Sequence, residues 1–161
     1  MPTYRTPPDE VSLLSELAAL YAEVEAMYSD WSCPGSTECC RFGITGKQPF
    51  VTSIEQAALE RAVGRRGGMP SKKKRALPLT SDAEKERMCP LLSNEGKCSV
   101  YADRPLGCRT FYCGRATRGD GPDRRDLKHI VQRLSELAAR HRFGGDQARP
   151  LEHVLRGWPS S

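Results

Sequence analysis

A chain of 161 residues is one domain of ordinary size or a small core with appendages, and its 38% hydrophobic content is low for a large apolar interior. The net charge of +5, from 25 Lys and Arg against 20 Asp and Glu, is a mild excess spread along the chain. It is not the basic stripe with interleaved aromatics of a nucleic-acid-binding domain, so no nucleic-acid partner is expected.

Seven cysteines, about 4% of the 161 residues, fall below the roughly 8–10% of a disulfide scaffold, and an odd number leaves one thiol over. Met1 to Glu10 has no charged start followed by an apolar stretch, and nowhere do about 18 apolar residues run together. The expectation is a cytoplasmic protein with no membrane contact. Thiols stay reduced in that compartment, and closely spaced cysteines there bind metal or do redox chemistry more often than they form bridges.

The whole chain, 1–161, reads as a single domain. From Pro8 to Asp30, Leu14, Leu17, Tyr21, Val24 and Tyr28 recur at alternating steps of three and four, the period of an amphipathic helix. Leu13, Leu20, Met27 and Trp31 widen that stripe. A turn-rich segment follows with Cys33, Cys39 and Cys40. A short strand is expected around Phe50 to Thr52. A second helix is expected from Ser53, whose hydroxyl would cap it while Gln56 reaches back, fading near Gly67 and Gly68.

Residues 64–76 form a flexible basic loop in this reading. Its densest run, Lys72 to Arg75, has no aromatic neighbour and is expected to be solvated. A second short strand is placed at Ala76 to Leu79. A C-terminal helix spans 122–142, with Leu127, Ile130, Val131, Leu134, Leu137 and Ala138 on one face and Gly144 and Gly145 just beyond its end. Leu151 to Trp158 adds a last short turn or two. The fold class is therefore mainly α: a small single domain with two long amphipathic helices and an irregular cysteine-rich metal-binding layer, with little strand. The first and last long helices are expected to pack across that layer.

The cysteines avoid the helical stretches and collect within 31–113. The first group is Cys33, Cys39 and Cys40. The second is Cys89-Pro90-Leu91-Leu92, then Cys98-Ser99-Val100-Tyr101, then Arg104-Pro105-Leu106-Gly107-Cys108-Arg109, and finally Cys113. Turn residues around thiols suit a metal site, because several segments must bend until their sulfurs come within about 2.3 Å of one ion. Paired C-x2-C knuckles are missing, and the gaps of the second group are eight, nine and four residues, so spacing alone names no ordinary zinc finger.

These elements resemble the zinc- or iron-chelating cysteine-cluster proteins of the YkgJ type. That family has a C-x2-C-x2-C-C motif followed by C-P-x-L, C-x-[hydrophobic]-Tyr and R-P-x-x-C-R elements. The resemblance covers about Trp31 to Cys113, with one departure: Ser36 stands at the second cysteine of the first motif. It implies a metal centre, zinc or an iron–sulfur cluster, drawn from Cys33, Cys39, Cys40, Cys89, Cys98, Cys108 and Cys113. Two complete all-cysteine sites need eight thiolates, so a single site is the simplest count. One or both of Cys39 and Cys40 with Cys89, Cys98 and Cys108 lead, and Cys33 and Cys113 are the spares; Ser36 marks either a dispensable position or a site completed from elsewhere, with Cys113 the obvious substitute.

Thiolates around a metal leave net negative charge, which Arg104 and Arg109 beside Cys108 could balance, along with Arg41 and Arg115. Equally, Arg104 and Arg109 could pair with Asp103, Asp120 or a helix end. His129, His141 and His153 lie in predicted helices away from the thiols and read as surface or packing residues. No Cys–His nucleophile pair and no phosphate-binding Gly-Lys-Ser loop is present. Tyr101, Phe111 and Tyr112 read as the hydrophobic shell of the metal.

The function favoured is a metal-binding module, structural or metal-handling, that does no chemistry of its own and binds a metal ion and possible protein partners. The alternatives are an iron–sulfur redox or sensor protein and a cluster-dependent group-transfer enzyme. Some flagellin lysine methylases are similar in cysteine pattern, but this chain shows no cofactor-binding domain to accompany one.

Overall fold

Helix α1, Glu10–Met27, starts where the Asp9 carboxylate accepts the Val11 N–H at 3.4 Å. It turns Leu13, Leu17, Leu20, Tyr21 and Val24 inward, as the three-four period of its apolar residues dictates. The computed structural model describes residues 9–28, 40–71, 87–110 and 124–160. A short helix α2, Phe42–Thr45, leads through a left-handed Gly46 to strand β1, Phe50–Val51, and then to α3, Ser53–Arg65.

Helix α4, Leu106–Thr110, carries Cys108, and the long helix α5 is Arg124–His141. Strand β2, Arg149–Pro150, and helix α6, Leu151–Leu155, follow. The domain is mainly helical, and among the described residues a single two-stranded sheet pairs Phe50 with Pro150 and Val51 with Arg149, antiparallel. The expected strand at Phe50 is present, with Arg149–Pro150 as its partner. The strand expected at Ala76 to Leu79 and the basic run Lys72 to Arg75 lie outside the described residues. Among the described residues, no helix is long and apolar enough to cross a membrane.

The cap of α3 sits one residue earlier than its sequence suggests. Thr52 donates both its N–H (2.9 Å) and its hydroxyl (3.0 Å) to the Glu55 carboxylate. Ser53 is already helical: its N–H donates to Gly145 O at 2.9 Å and its hydroxyl to Ala138 O at 3.3 Å. Gln56 faces outward to Glu60. The tertiary contact with the end of α5 claims the Ser53 hydroxyl, leaving Thr52 and Glu55 to close the box.

The two long helices pack directly on each other and not, as expected, across the cysteine layer. Arg140 meets Glu16 at 2.7 Å and Arg133 meets Glu23 at 2.6 Å, a register that makes α1 and α5 antiparallel. Ile130, Leu134, Leu137 and Ala138 of α5 join the inward face of α1 and Ile54 of α3 in a first core. Val131 leaves that face and is 42% exposed.

Helix α3 divides the molecule. Its Leu59, Ala62 and Val63 face a second core with Phe42, Leu91, Val100, Leu151, Val154 and Leu155, and Cys89 is buried there. Cys40, Cys89 and Cys98 therefore lie against the far side of α3 from the core that α1 and α5 share, while the helix that carries Cys108 reaches that core through Leu106.

Candidate metal centre

Backbone pairing, not helical packing, brings Cys40, Cys89 and Cys98 together. The segment ending at Cys89 runs antiparallel beside the segment starting at Cys40. Cys89 N–H donates to Cys40 O at 2.7 Å, Gly43 N–H donates to Arg87 O at 2.9 Å, and Arg41 bridges to Met88. The chain then reverses. Ser93 N–H donates to Lys97 O (2.8 Å), Ser99 N–H donates to Leu91 O (2.9 Å), and Leu92 bridges to Cys98. Gly96 turns this hairpin with a φ of +74°, a conformation that costs a side-chain-bearing residue strain. Cys98 is thereby folded back toward Cys89. A 3-10 turn at Tyr101–Asp103 and Pro105 then lead into α4, where Thr110 returns its hydroxyl to Leu106 O at 2.8 Å.

The outcome is one cavity of about 660 Å³ lined by Cys40, Cys89, Cys98 and Cys108. Phe42, Leu91, Val100 and Leu151 supply apolar wall, and Glu95, Lys97, Tyr101 and Arg104 the polar parts. Four of the seven cysteines singled out in the sequence are thus brought to one place from three stretches of chain. Cys33, Cys39 and Cys113 lie outside the described residues, as do Ser36, Phe111, Tyr112 and Arg115. Among the described residues, no three Cys, His, Asp or Glu side chains close on a single point in the manner of a finished metal site.

In kind, the donors fit zinc or iron: four sulfurs, with Glu95 the one carboxylate on the described wall. No histidine lines it. His141 instead meets Ser53 Oγ at 2.9 Å and Glu10 at 3.4 Å, a packing role, and His129 and His153 are exposed.

Arg104 and Arg109 are both buried, and among the described residues their acidic partner is Glu25 of α1; Asp103 pairs with Arg65 at 3.0 Å, and Asp120 lies outside the described residues. Arg104 lines the cavity, donates from Nε to Tyr101 O at 3.0 Å and stacks 3.7 Å from the centre of the Tyr101 ring. Arg109 donates to Arg104 O at 2.7 Å, to Glu25 at 2.9 Å and to Ala102 O, and its guanidinium lies 4.1 Å from the centre of the Tyr21 ring. These are the contacts of a residue that fastens the loop onto α1.

Sequence reasoning overlooked the residue that joins the two layers. Glu55 is 1% exposed; one carboxylate oxygen takes the two Thr52 donors, and the other accepts Leu106 N–H at 2.8 Å and Tyr21 O–H at 3.2 Å. Burial pushes its carboxyl above the usual carboxylate range against the pull of these hydrogen bonds, and burial followed by the Glu55 charge pushes the Tyr21 phenol well up. The signal available was Thr52-Ser53-Ile54-Glu55 before an apolar run, a capping-box pattern one register from the Ser53-to-Gln56 pair.

Nothing among the curated proteins or the solved structures matches the chain. A family match, however, runs over residues 32–125, more than half of the chain, and takes in all seven cysteines. With four of those thiols on one cavity wall, the chain belongs to the CxxCxxCC family, described as "Putative zinc- or iron-chelating domain".

Proposed function

We propose that the cavity holds a single zinc or iron centre on thiolates of Cys40, Cys89, Cys98 and Cys108, and that the protein is a metal-stabilised binding or metal-handling module with no chemistry of its own. The observation that carries this is the convergence of those four cysteines on one wall. Around them, the described wall carries Glu95, Lys97 and Tyr101 as acid–base groups, and no histidine. The bound metal would cross-link three segments that are otherwise joined by a few backbone hydrogen bonds and a small apolar core, so that binding energy becomes folding energy. Each thiol must lose its proton to ligate, so uptake strengthens as pH rises. A compartment that keeps thiols reduced suits this role, and we place the protein in the cytoplasm.

An iron–sulfur cluster is the second reading, favoured by a cavity of about 660 Å³ with four thiols on its wall. The test is metal analysis with an absorption spectrum on protein purified without oxygen. About one zinc per chain in a colourless sample supports the single ion; iron with sulfide and a broad visible band supports the cluster. In either case Cys89→Ser, Cys98→Ser and Cys108→Ser each lower the metal content. Unchanged content in all three variants would refute the site.

A further inference from the structure

Cys108 sits in the middle of a five-residue helix that is gripped on both sides by the helical layer. Two residues before it, Leu106 donates its N–H to Glu55 and buries its side chain, 4% exposed, in the core shared by α1, α3 and α5. One residue after it, Arg109 is fastened to Glu25, to the carbonyls of Ala102 and Arg104, and to the face of Tyr21. Tyr21 closes the circuit, because its hydroxyl donates to the same Glu55 oxygen that holds Leu106. A short helix so held cannot roll without breaking a buried hydrogen bond at one end or a partly buried ion pair at the other, and Cys108 faces the cavity between the two.

We propose that Glu55 and Tyr21 are positioning residues for Cys108: they clamp α4 against the helical layer and so set where that sulfur stands on the cavity wall. The inference rests on the reading of the cavity as the metal site. Glu55 and Tyr21 act on Cys108 through Leu106 and Arg109. Partners of this outer kind orient the ligands, and their loss typically weakens metal binding by about 10–100-fold.

The experiment uses the full chain loaded with cobalt(II), whose sulfur-to-cobalt absorption grows with the number of thiolates bound, with affinity read by competition against a chelator. Glu55→Gln keeps the shape but places an amide N–H₂ where an acceptor is needed. It is expected to lose about 10–100-fold in affinity and part of the sulfur-to-cobalt absorption. Tyr21→Phe, the gentler variant, shows a smaller loss in the same direction and carries the test if Glu55→Gln does not fold. Leu13→Ala, at the far end of α1, lowers thermal stability but leaves the cobalt spectrum unchanged.

Alkylation of the metal-free protein, mapped by mass spectrometry, gives a readout without metal: the rate at Cys108 relative to Cys89 rises in both network variants. Wild-type affinity and spectrum in both network variants, or losses no larger than those of Leu13→Ala, would overturn the clamp. If the wild-type chain shows no sulfur-to-cobalt absorption, the metal reading itself fails. The alkylation ratio then decides the clamp alone, and an unchanged ratio sinks it.

Discussion

Gly145 shows how a single atom can be excluded by packing. A methyl group there would come within 2.3 Å of both Ala138 O and Ser53 Oγ, where the end of α5 meets the start of α3. The Gly145 carbonyl also accepts Ser53 N–H, so this turn and the first residue of α3 are built against each other. Gly145→Ala is expected to cost about 1–3 kcal/mol by overpacking, measured by urea unfolding, with no effect on the thiols. The sequence shows Gly145 only as a helix terminator; nothing local announces that its missing side chain makes room for Ser53. Glu55 is a similar case. An acidic residue in a first helical turn is ordinary, and only the arrival of Leu106 and Tyr21 makes it a junction.

Between elements, the α1–α5 contact is a buried apolar seam flanked by exposed ion pairs, Glu16 with Arg140 and Glu23 with Arg133. The hydrogen bonds from Arg140, and then its charge, hold the Glu16 carboxyl below its ordinary value. A carboxyl with a lowered folded value contributes stability above its unfolded value, and that contribution disappears as pH falls through the folded one. Both side chains are about half exposed, so solvent screening keeps the pair below about 1 kcal/mol. Glu16→Gln is therefore expected to lower the urea midpoint slightly at neutral pH and in low salt. The difference from wild type should vanish in acid below the ordinary carboxyl range, or in high salt. These two helices were the most legible part of the sequence, since a period of 3.6 over 18 residues each is a strong local signal. Val131 was misassigned to the buried face because it neighbours Ile130, and one step along a helix turns a side chain by about 100°.

At the scale of the whole molecule, α3 separates a helical half from a cysteine half, and the two halves are held by different means. The first has long helices with a continuous core; the second has short turns around a cavity with four thiols. Metal removal should therefore be felt unequally. With a chelator, amide hydrogen exchange is expected to speed up across 87–110 while α1 and α5 keep their protection. Uniform loss of protection, or none, would contradict this division.

The sequence alone determined the long helices, because their information is periodic and local, and the clustering of the cysteines, because they collect in turn-rich stretches whatever the fold. Those residues carry the family assignment as well. Tertiary structure decided everything that depends on distant segments meeting. It pairs Cys40 with Cys89 across 49 positions, folds Cys98 back through the Gly96 hairpin, and sets α4 on Glu55 of a helix 51 residues earlier. Such contacts leave no local pattern, since each partner obeys its own neighbourhood and the match exists only once the intervening chain has folded. Thus the chemistry of the site could be read from which residues are present. Its geometry, and the buried carboxylate that holds the start of α4, could not.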